Sequence, residues 1–550
     1  MVGANRKALI SLTAIGALVI GIYAYIAQSG LLEMLCPTAA ETYYNLLVRG
    51  FQDGHLSLKK DVPPGLAQLA TPYDPDANAP YRRMPYRLHD ISFYKNRLYL
   101  YYGATPALIL FWPCAVVTGH YLFHRQAVEI FCAIGFLASI GLLFALWRRY
   151  FSSVAFWIVA ACAMALGLAT GAPILLSQAD IYQVPISCGY MLTMLTLGAI
   201  WFALHRQEQR GRWLAAASLT YGLAIAARPA LLFGAVLLLI PIAASATSPT
   251  TGKPLNLTTF ARLVFCALIP IALIGLGVLF YNYQRFDNPL EFGQHYQLTG
   301  DFHTLHGKHF SLDFLWFNLR LYFFKSMTWS SQFPFVRKMV VPPLPPGHDS
   351  VEDPFGILLN TPLVWLALAV PLALRDRSNT ASALRWFVAT LTALFAITTL
   401  TIGLYYFTCV RYEVEFLPEL LLLAVLGILG SERALAPKPA WRWAVRSIWI
   451  LLLTISVAFN FLASVPYHAE AHHFRGIALL QSGNISGAIQ EYKEAVRLRP
   501  DYAPGYYNLA VILEKNGETS NAINQYRQAL RFKPDFTEAQ NALARLKANP

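Results

Sequence analysis

The chain has 550 residues, 56% of them hydrophobic and only 13% charged, with a formal net charge of +13. A soluble globular domain carries about 25% charged residues, so a wholly soluble chain is excluded. The basic excess sits in short loops between apolar runs, as in HRQEQRGR at 205–212 and RDR at 375–377. That is the orientation bias of membrane proteins and excludes a nucleic-acid groove.

In chain order, MVGANRK precedes an apolar run at 8–27. The run is longer than the core of a cleaved signal and lacks a clear A-x-A site, which predicts a retained anchor with Arg6 and Lys7 in the cytoplasm. Further apolar runs lie near 103–120, 127–147, 152–172, 183–203, 213–228, 230–246, 260–282, 356–375, 385–407, 416–430 and 444–464, twelve in all. Runs of roughly 17–23 residues suffice to cross ~30 Å of hydrocarbon. Two long polar stretches, 28–102 and 283–355, are rich in Tyr, Phe, Pro and Trp, which suits the membrane–water interface.

Parity then decides topology. If all twelve runs cross, the basic loop 205–212 falls outside and the C-terminus inside. If one early run only half-crosses, Arg148–Arg149 and the loops 205–212, 375–385 and 431–446 all become cytoplasmic. The run 103–120 is the expected exception, since it contains Pro106 and Pro113. Both polar stretches and the C-terminal region then lie on the extracytoplasmic side. Of seven cysteines, only Cys36 falls in a polar loop, and no CxxC or disulfide framework is present.

Composition changes sharply after residue 465. Two 34-residue units, 469–502 and 503–536, superpose in register. They share a small residue (Gly476, Ala510), a glycine (Gly483, Gly517), an alanine (Ala488, Ala522), a tyrosine (Tyr492, Tyr526), a second alanine (Ala495, Ala529) and a proline (Pro500, Pro534). Small residues let two helices approach, glycine turns the chain between them, and proline ends the second helix. The pattern resembles the tetratricopeptide repeat. Residues 537–547 supply a capping helix for a minimal array. The expected fold class is all-α: a polytopic bundle of eleven to twelve membrane segments over 1–465, then a small helical-repeat domain over 466–550.

The first polar stretch starts ETYYNLLVRGFQDGHLSL at 41–58 and ends HDISFYKNRLYLYYGATPALILFWP at 89–113. Further pieces are GLAIAARP at 222–229, YNYQRFDNPLEFGQHYQL at 281–298 and RYEVEFLPELLLLA at 411–424. In order and spacing these resemble the membrane-embedded glycosyltransferases of the GT-C superfamily, which take sugars from polyprenyl-phosphate carriers. The resemblance covers roughly residues 1–465. It implies that an acid near the first span acts as general base on the acceptor hydroxyl. Glu41 matches that position, although the family's Asp–Glu pair is Ala40–Glu41 here. Asp90 is the second candidate, and both compete with solvated or capping roles. Asp180 is implied as an acceptor or metal contact, or else as a helix cap; a divalent cation is the only cofactor this admits. Arg411, at the outer end of an apolar run, is implied to grip the donor phosphate, with Arg228 as a weaker parallel. The plainer role for Arg411 is pairing with Glu413 or Glu415, or snorkelling. His303, His306 and His309 lack zinc-helix spacing and are interrupted by Gly307, so no metal site is expected there.

The sequence thus points to an inverting glycosyltransferase of the membrane, most simply a bacterial inner membrane. Its partners are a polyprenyl-phosphate sugar lipid and, through the repeats, a protein or glycan. A non-catalytic scaffold, kept open by Ala40, and a lipid-linked glycan transporter are the rival readings. Against transport stand the long outer loop and the lack of an inverted repeat.

Overall fold

The computed structural model describes residues 2–34, 36–82, 86–246, 256–300, 307–331, 333–337, 339–375 and 380–548. Among the described residues, eight helices are long and apolar enough to cross a membrane. They are Arg6–Ile26, His124–Tyr150, Phe156–Leu176, Gln183–His205, Pro229–Ala246, Leu257–Phe286, Ser382–Gly403 and Pro439–Gln481. The helices Arg210–Ala227 and Leu417–Ala434 and the shorter apolar segment Pro362–Ala373 pack among them. The Arg433 guanidinium donates to the carbonyls of Tyr150 (3.1 Å) and Ala373 (2.8 Å), so three passages end together on one face. At their other ends, the Phe355 amide donates to Glu413 Oε1 at 2.8 Å.

The helix pair Ala107–Thr118 is apolar but shorter than the eight. At 1.5 Å per residue it is about 18 Å long, against ~30 Å of hydrocarbon. Its two ends are held by adjacent residues of the Tyr43–Gln52 helix: Tyr44 Oη donates to the Gly103 carbonyl (3.5 Å), and Asn45 Nδ2 to that of Leu122 (2.7 Å). The segment therefore enters and leaves on one face, and Pro106 and Gly119, the latter at φ +71°, mark its ends.

The basic loops gather on the opposite face. There Glu432, fully buried, accepts from Arg442 (2.7 Å) and from Arg446 (2.8 Å), tying the last two passages together. The passage Leu417–Ala434 packs so closely on 362–373 that a Cβ at Gly427 would fall 1.9 Å from the Leu366 carbonyl oxygen.

The last passage does not stop at the membrane. Pro439–Gln481 is one helix of 43 residues, about 65 Å long. Its distal end is the first repeat helix, so residues 465 and 466 lie inside a single rod. Ile485–Leu498, Ala503–Lys515, Thr519–Phe532 and Thr537–Ala548 complete the repeats. Ala488, Ala495, Ala510, Ala522 and Ala529 are fully buried in their seam, packed with Tyr492 and Tyr526. Gly483 and Gly517 take φ +81° and +83° where the helices turn. Pro500 and Pro534 follow the helices ending at Leu498 and Phe532.

The repeats share a face with both long loops. Arg475 donates to Gln28 Oε1 at 2.8 Å, just past the first passage, and Arg337 pairs with Asp501 at 3.1 Å.

Candidate functional site

The site forms where the first loop, the turn before Gln183–His205, and the segment Val410–Glu415 converge on the loop face. Asp90 starts a short hairpin, Ile91–Tyr94 with Arg97–Leu100. The hairpin's two-residue turn has Lys95 and Asn96 at positive φ, the geometry that matches strand twist. Asp90 itself is left-handed at φ +58°, a conformation that short polar Asp tolerates. Its Oδ2 accepts a 2.6 Å hydrogen bond from Tyr182 Oη, and His89 Nε2 lies 3.5 Å away.

Tyr182 has two neighbours at once. Its hydroxyl meets Asp90, and the Arg411 guanidinium lies 5.1 Å from its ring centroid. Burial, then the Asp90 carboxylate, pushes the Tyr182 phenol well above its ordinary pKa, so it remains a donor. Tyr102 meets the same ring edge-on at 5.7 Å.

Arg411 is set by a small parallel pairing, Val351 opposite Thr408 and Glu352 opposite Cys409. This brings the Glu352 carboxylate onto Arg411 Nη1. The chain then winds as a 3₁₀ turn, Val410–Glu415. Its period of three eclipses residues i and i+3, so Tyr412 and Glu415 share an edge and both reach Arg228. Arg228 Nε donates to Glu415 Oε1 at 2.5 Å, and its guanidinium lies 4.6 Å from the Tyr412 ring. Arg411 lies 5.6 Å from the same ring. Arg228 precedes Pro229, which drives it out of helix into extended backbone (φ −141°, ψ 93°). Asp90, Arg411 and Arg228 are thus joined through two tyrosines, Tyr182 and Tyr412.

Asp180 belongs to an adjoining buried cluster. Its Oδ2 accepts from the Leu32 amide (2.7 Å) and its Oδ1 from the Ile181 amide (2.9 Å). Gly30 is pressed against it; a Cβ there would sit 2.6 Å from Asp180. His124 Nδ1 lies 3.7 Å from Asp180 and 3.8 Å from Glu33. Glu33 is buried, accepts from Ser29 Oγ (2.5 Å) and the Arg125 amide (3.2 Å), and has its pKa raised by burial, against the pull of His124. Sequence reasoning passed over Glu33. The signal was available: it is the first acid after the first span, set among apolar residues in LLEML, where a charge is costly without partners.

Glu41 stands apart from the arginines of the cluster. Its side chain is 42% exposed and pairs with Arg87 at 3.5 Å. A small cavity lined by Leu32, Cys36, Glu41, Tyr43, Lys60, Arg87 and His124 connects it to the Glu33 cluster. Arg411 pairs with Glu352 and Arg228 with Glu415, whereas Glu413 turns inward onto the Phe355 amide.

Both Asp180 oxygens already accept backbone amides, and among the described residues no group of three or more His, Cys, Asp or Glu is arranged to hold a metal. His303 and His306 lie outside the described residues; His309 Nε2 meets Gln294 at 2.8 Å and stacks edge-on with Tyr406.

Residues 476–517 match a family model described as TPR repeat, and residues 503–536 one described as tetratricopeptide repeat. A comparison with curated proteins gave no match. Among solved structures, the chain is similar to the crystal structure of ArnT from Cupriavidus metallidurans bound to undecaprenyl phosphate. The match covers 94% of this chain and 79% of that chain, at 13% identity and a TM-score of 0.42.

Proposed function

We propose that the chain is a membrane glycosyltransferase that moves a sugar from a polyprenyl-phosphate donor to an acceptor hydroxyl on the loop face. The observation that carries this is Tyr182, whose hydroxyl holds Asp90 while its ring lies against Arg411. One side chain thereby brings a carboxylate and a guanidinium to the same ring. Asp90 takes the proton of the attacking acceptor hydroxyl. The acceptor oxygen bonds to the anomeric carbon as the bond to the phosphate oxygen breaks, with inversion. The lipid phosphate leaves as an anion, facing Arg411 and Arg228.

For the donor to dock, Glu352 and Glu415 must share or release their arginines. Glu352 is half exposed and accepts from Arg411 and Cys409. Glu41 sits beside Arg87 and the half-buried Lys60, a place better suited to orienting the acceptor than to accepting its proton. The repeats, anchored on the same face through Arg475 and Gln28, bring a protein or glycan partner to the site. With the basic loops in the cytoplasm, that face is extracytoplasmic, as in a bacterial inner membrane.

The test is turnover of a radiolabelled polyprenyl-phosphate sugar by reconstituted protein. Asp90→Asn should lose transfer by about two to four powers of ten while still binding donor lipid. Transfer at the wild-type rate by Asp90→Asn refutes the assignment.

A second reading is a non-catalytic scaffold. It is favoured by Ala40 in place of the family's acid and by carboxylate partners on both arginines. A wild-type protein that never turns over any such donor establishes it.

A further inference from the structure

The helix Leu312–Leu319 is amphipathic the wrong way round for a surface facing water. Phe314 and Asn318 are buried. Asn318 Nδ2 donates to the carbonyls of Gly403 (3.0 Å) and Tyr405 (2.7 Å), at and just beyond the end of the Thr380–Gly403 passage. The outward row, spaced by four and continuing through the turn Arg320–Phe324, is Leu312, Trp316, Arg320 and Phe324. Leu312 is 78% exposed, Trp316 70% and Phe324 55%, and Arg320 is exposed between them.

Depth follows from Asn318. It seizes the end of a membrane passage, so the helix lies where that passage leaves the hydrocarbon. Leu400, about one turn back along the same passage, is also exposed. The apolar row therefore continues the lipid-facing surface of the bundle. A tryptophan and an arginine on such a row match the composition of the interface, where Trp sits at headgroup level and Arg reaches lipid phosphates.

We propose that the row Leu312, Trp316, Arg320 and Phe324 is an in-plane membrane anchor, seated in the headgroup layer on the loop face with Arg320 against anionic headgroups. It differs from the membrane-spanning helices in lying along the bilayer. It also sets the depth of the site. Phe310 stacks on Tyr405 at 5.3 Å, and Tyr405 meets Tyr412 at 6.1 Å. Tyr412 is the ring shared by Arg228 and Arg411, so the anchor holds both arginines near the level of lipid phosphate. The anchor stands whether or not the chain transfers sugar.

The test uses full-length protein reconstituted in phosphatidylcholine–phosphatidylglycerol vesicles, with acyl chains brominated near their carboxyl ends. The Trp316 contribution is the difference in emission between wild type and Trp316→Phe. It should be quenched about twofold by the brominated lipid and little by aqueous acrylamide. Arg320→Glu should reduce that quenching in vesicles with phosphatidylglycerol and leave it unchanged in phosphatidylcholine alone. Acrylamide quenching without lipid quenching overturns the anchor. So does protection from both quenchers accompanied by a cross-linked dimer through Trp316→Cys, which would make the row an interface between two copies.

Discussion

Gly476→Ala tests the seam that joins the membrane rod to the repeats. A Cβ at Gly476 would lie 2.6 Å from Tyr492 Cε1 and 2.8 Å from Cδ1, whereas carbon contacts are favourable at about 3.5–4.0 Å. The Tyr492 ring must therefore retreat by about 1 Å. It is fully buried and meets His473 at 5.6 Å, so it has little room. Overpacking of this kind costs about 1–3 kcal/mol, and alanine recovers up to ~1 kcal/mol of helix propensity over glycine. The net expectation is about 1–2 kcal/mol of destabilisation, read as faster proteolysis beyond residue 465 with the membrane part intact. Combining Gly476→Ala with Tyr492→Leu should restore most of the loss, since the clash is with the ring. Gly483→Ala should cost a similar ~1–2 kcal/mol for a different reason, its φ of +81° with open space around it, and Gly483→Asn should relieve it. A Gly476→Ala protein as resistant as wild type, or no coupling to Tyr492→Leu, refutes this account of the seam.

Arg411→Lys keeps the charge but loses the forked geometry, so donor KM should rise, while Arg411→Ala should abolish transfer without unfolding the protein; a fully active Ala variant leaves only packing to explain the residue. Burial lowers the His348 pKa from 6.5 to about 4, with its Nε2 3.0 Å from Asn318 and 3.1 Å from Thr408. The native state then binds fewer protons than the unfolded one between those values, so its stabilisation is full above pH ~6.5 and is lost as pH falls toward ~4, by at most ~3 kcal/mol. Proteolysis of the loop 307–356 should accelerate over that window, and His348→Gln should flatten the dependence. A C-terminal alkaline phosphatase fusion should be active, because the repeats share a face with the first loop and the basic loops take the other; an inactive fusion with a bright cytoplasmic fluorescent reporter refutes the orientation.

The sequence by itself determined the class of this protein and the register of its repeats. Length and apolarity of a run decide whether a helix can cross hydrocarbon, and both are local properties. The shortness of the helix Ala107–Thr118 was foreshadowed by Pro106 and Pro113 within the run at 103–120. The repeat seam was legible because a 34-residue period puts small residues at fixed contacts, and Ala488, Tyr492, Ala522 and Tyr526 need only their own neighbours. The tertiary structure alone decided which acid stands with the arginines. Glu41 and Asp90 look alike in the sequence, each an acid in the first loop. What separates them is Tyr182, 92 residues from Asp90, whose hydroxyl reaches one and not the other. Glu33 was missed because its partners, His124 and Asp180, come from elements far along the chain, and Arg411 is aimed by a two-residue pairing with Val351–Glu352. Each of these rests on contacts that exist only after the passages have packed, and no local propensity encodes them.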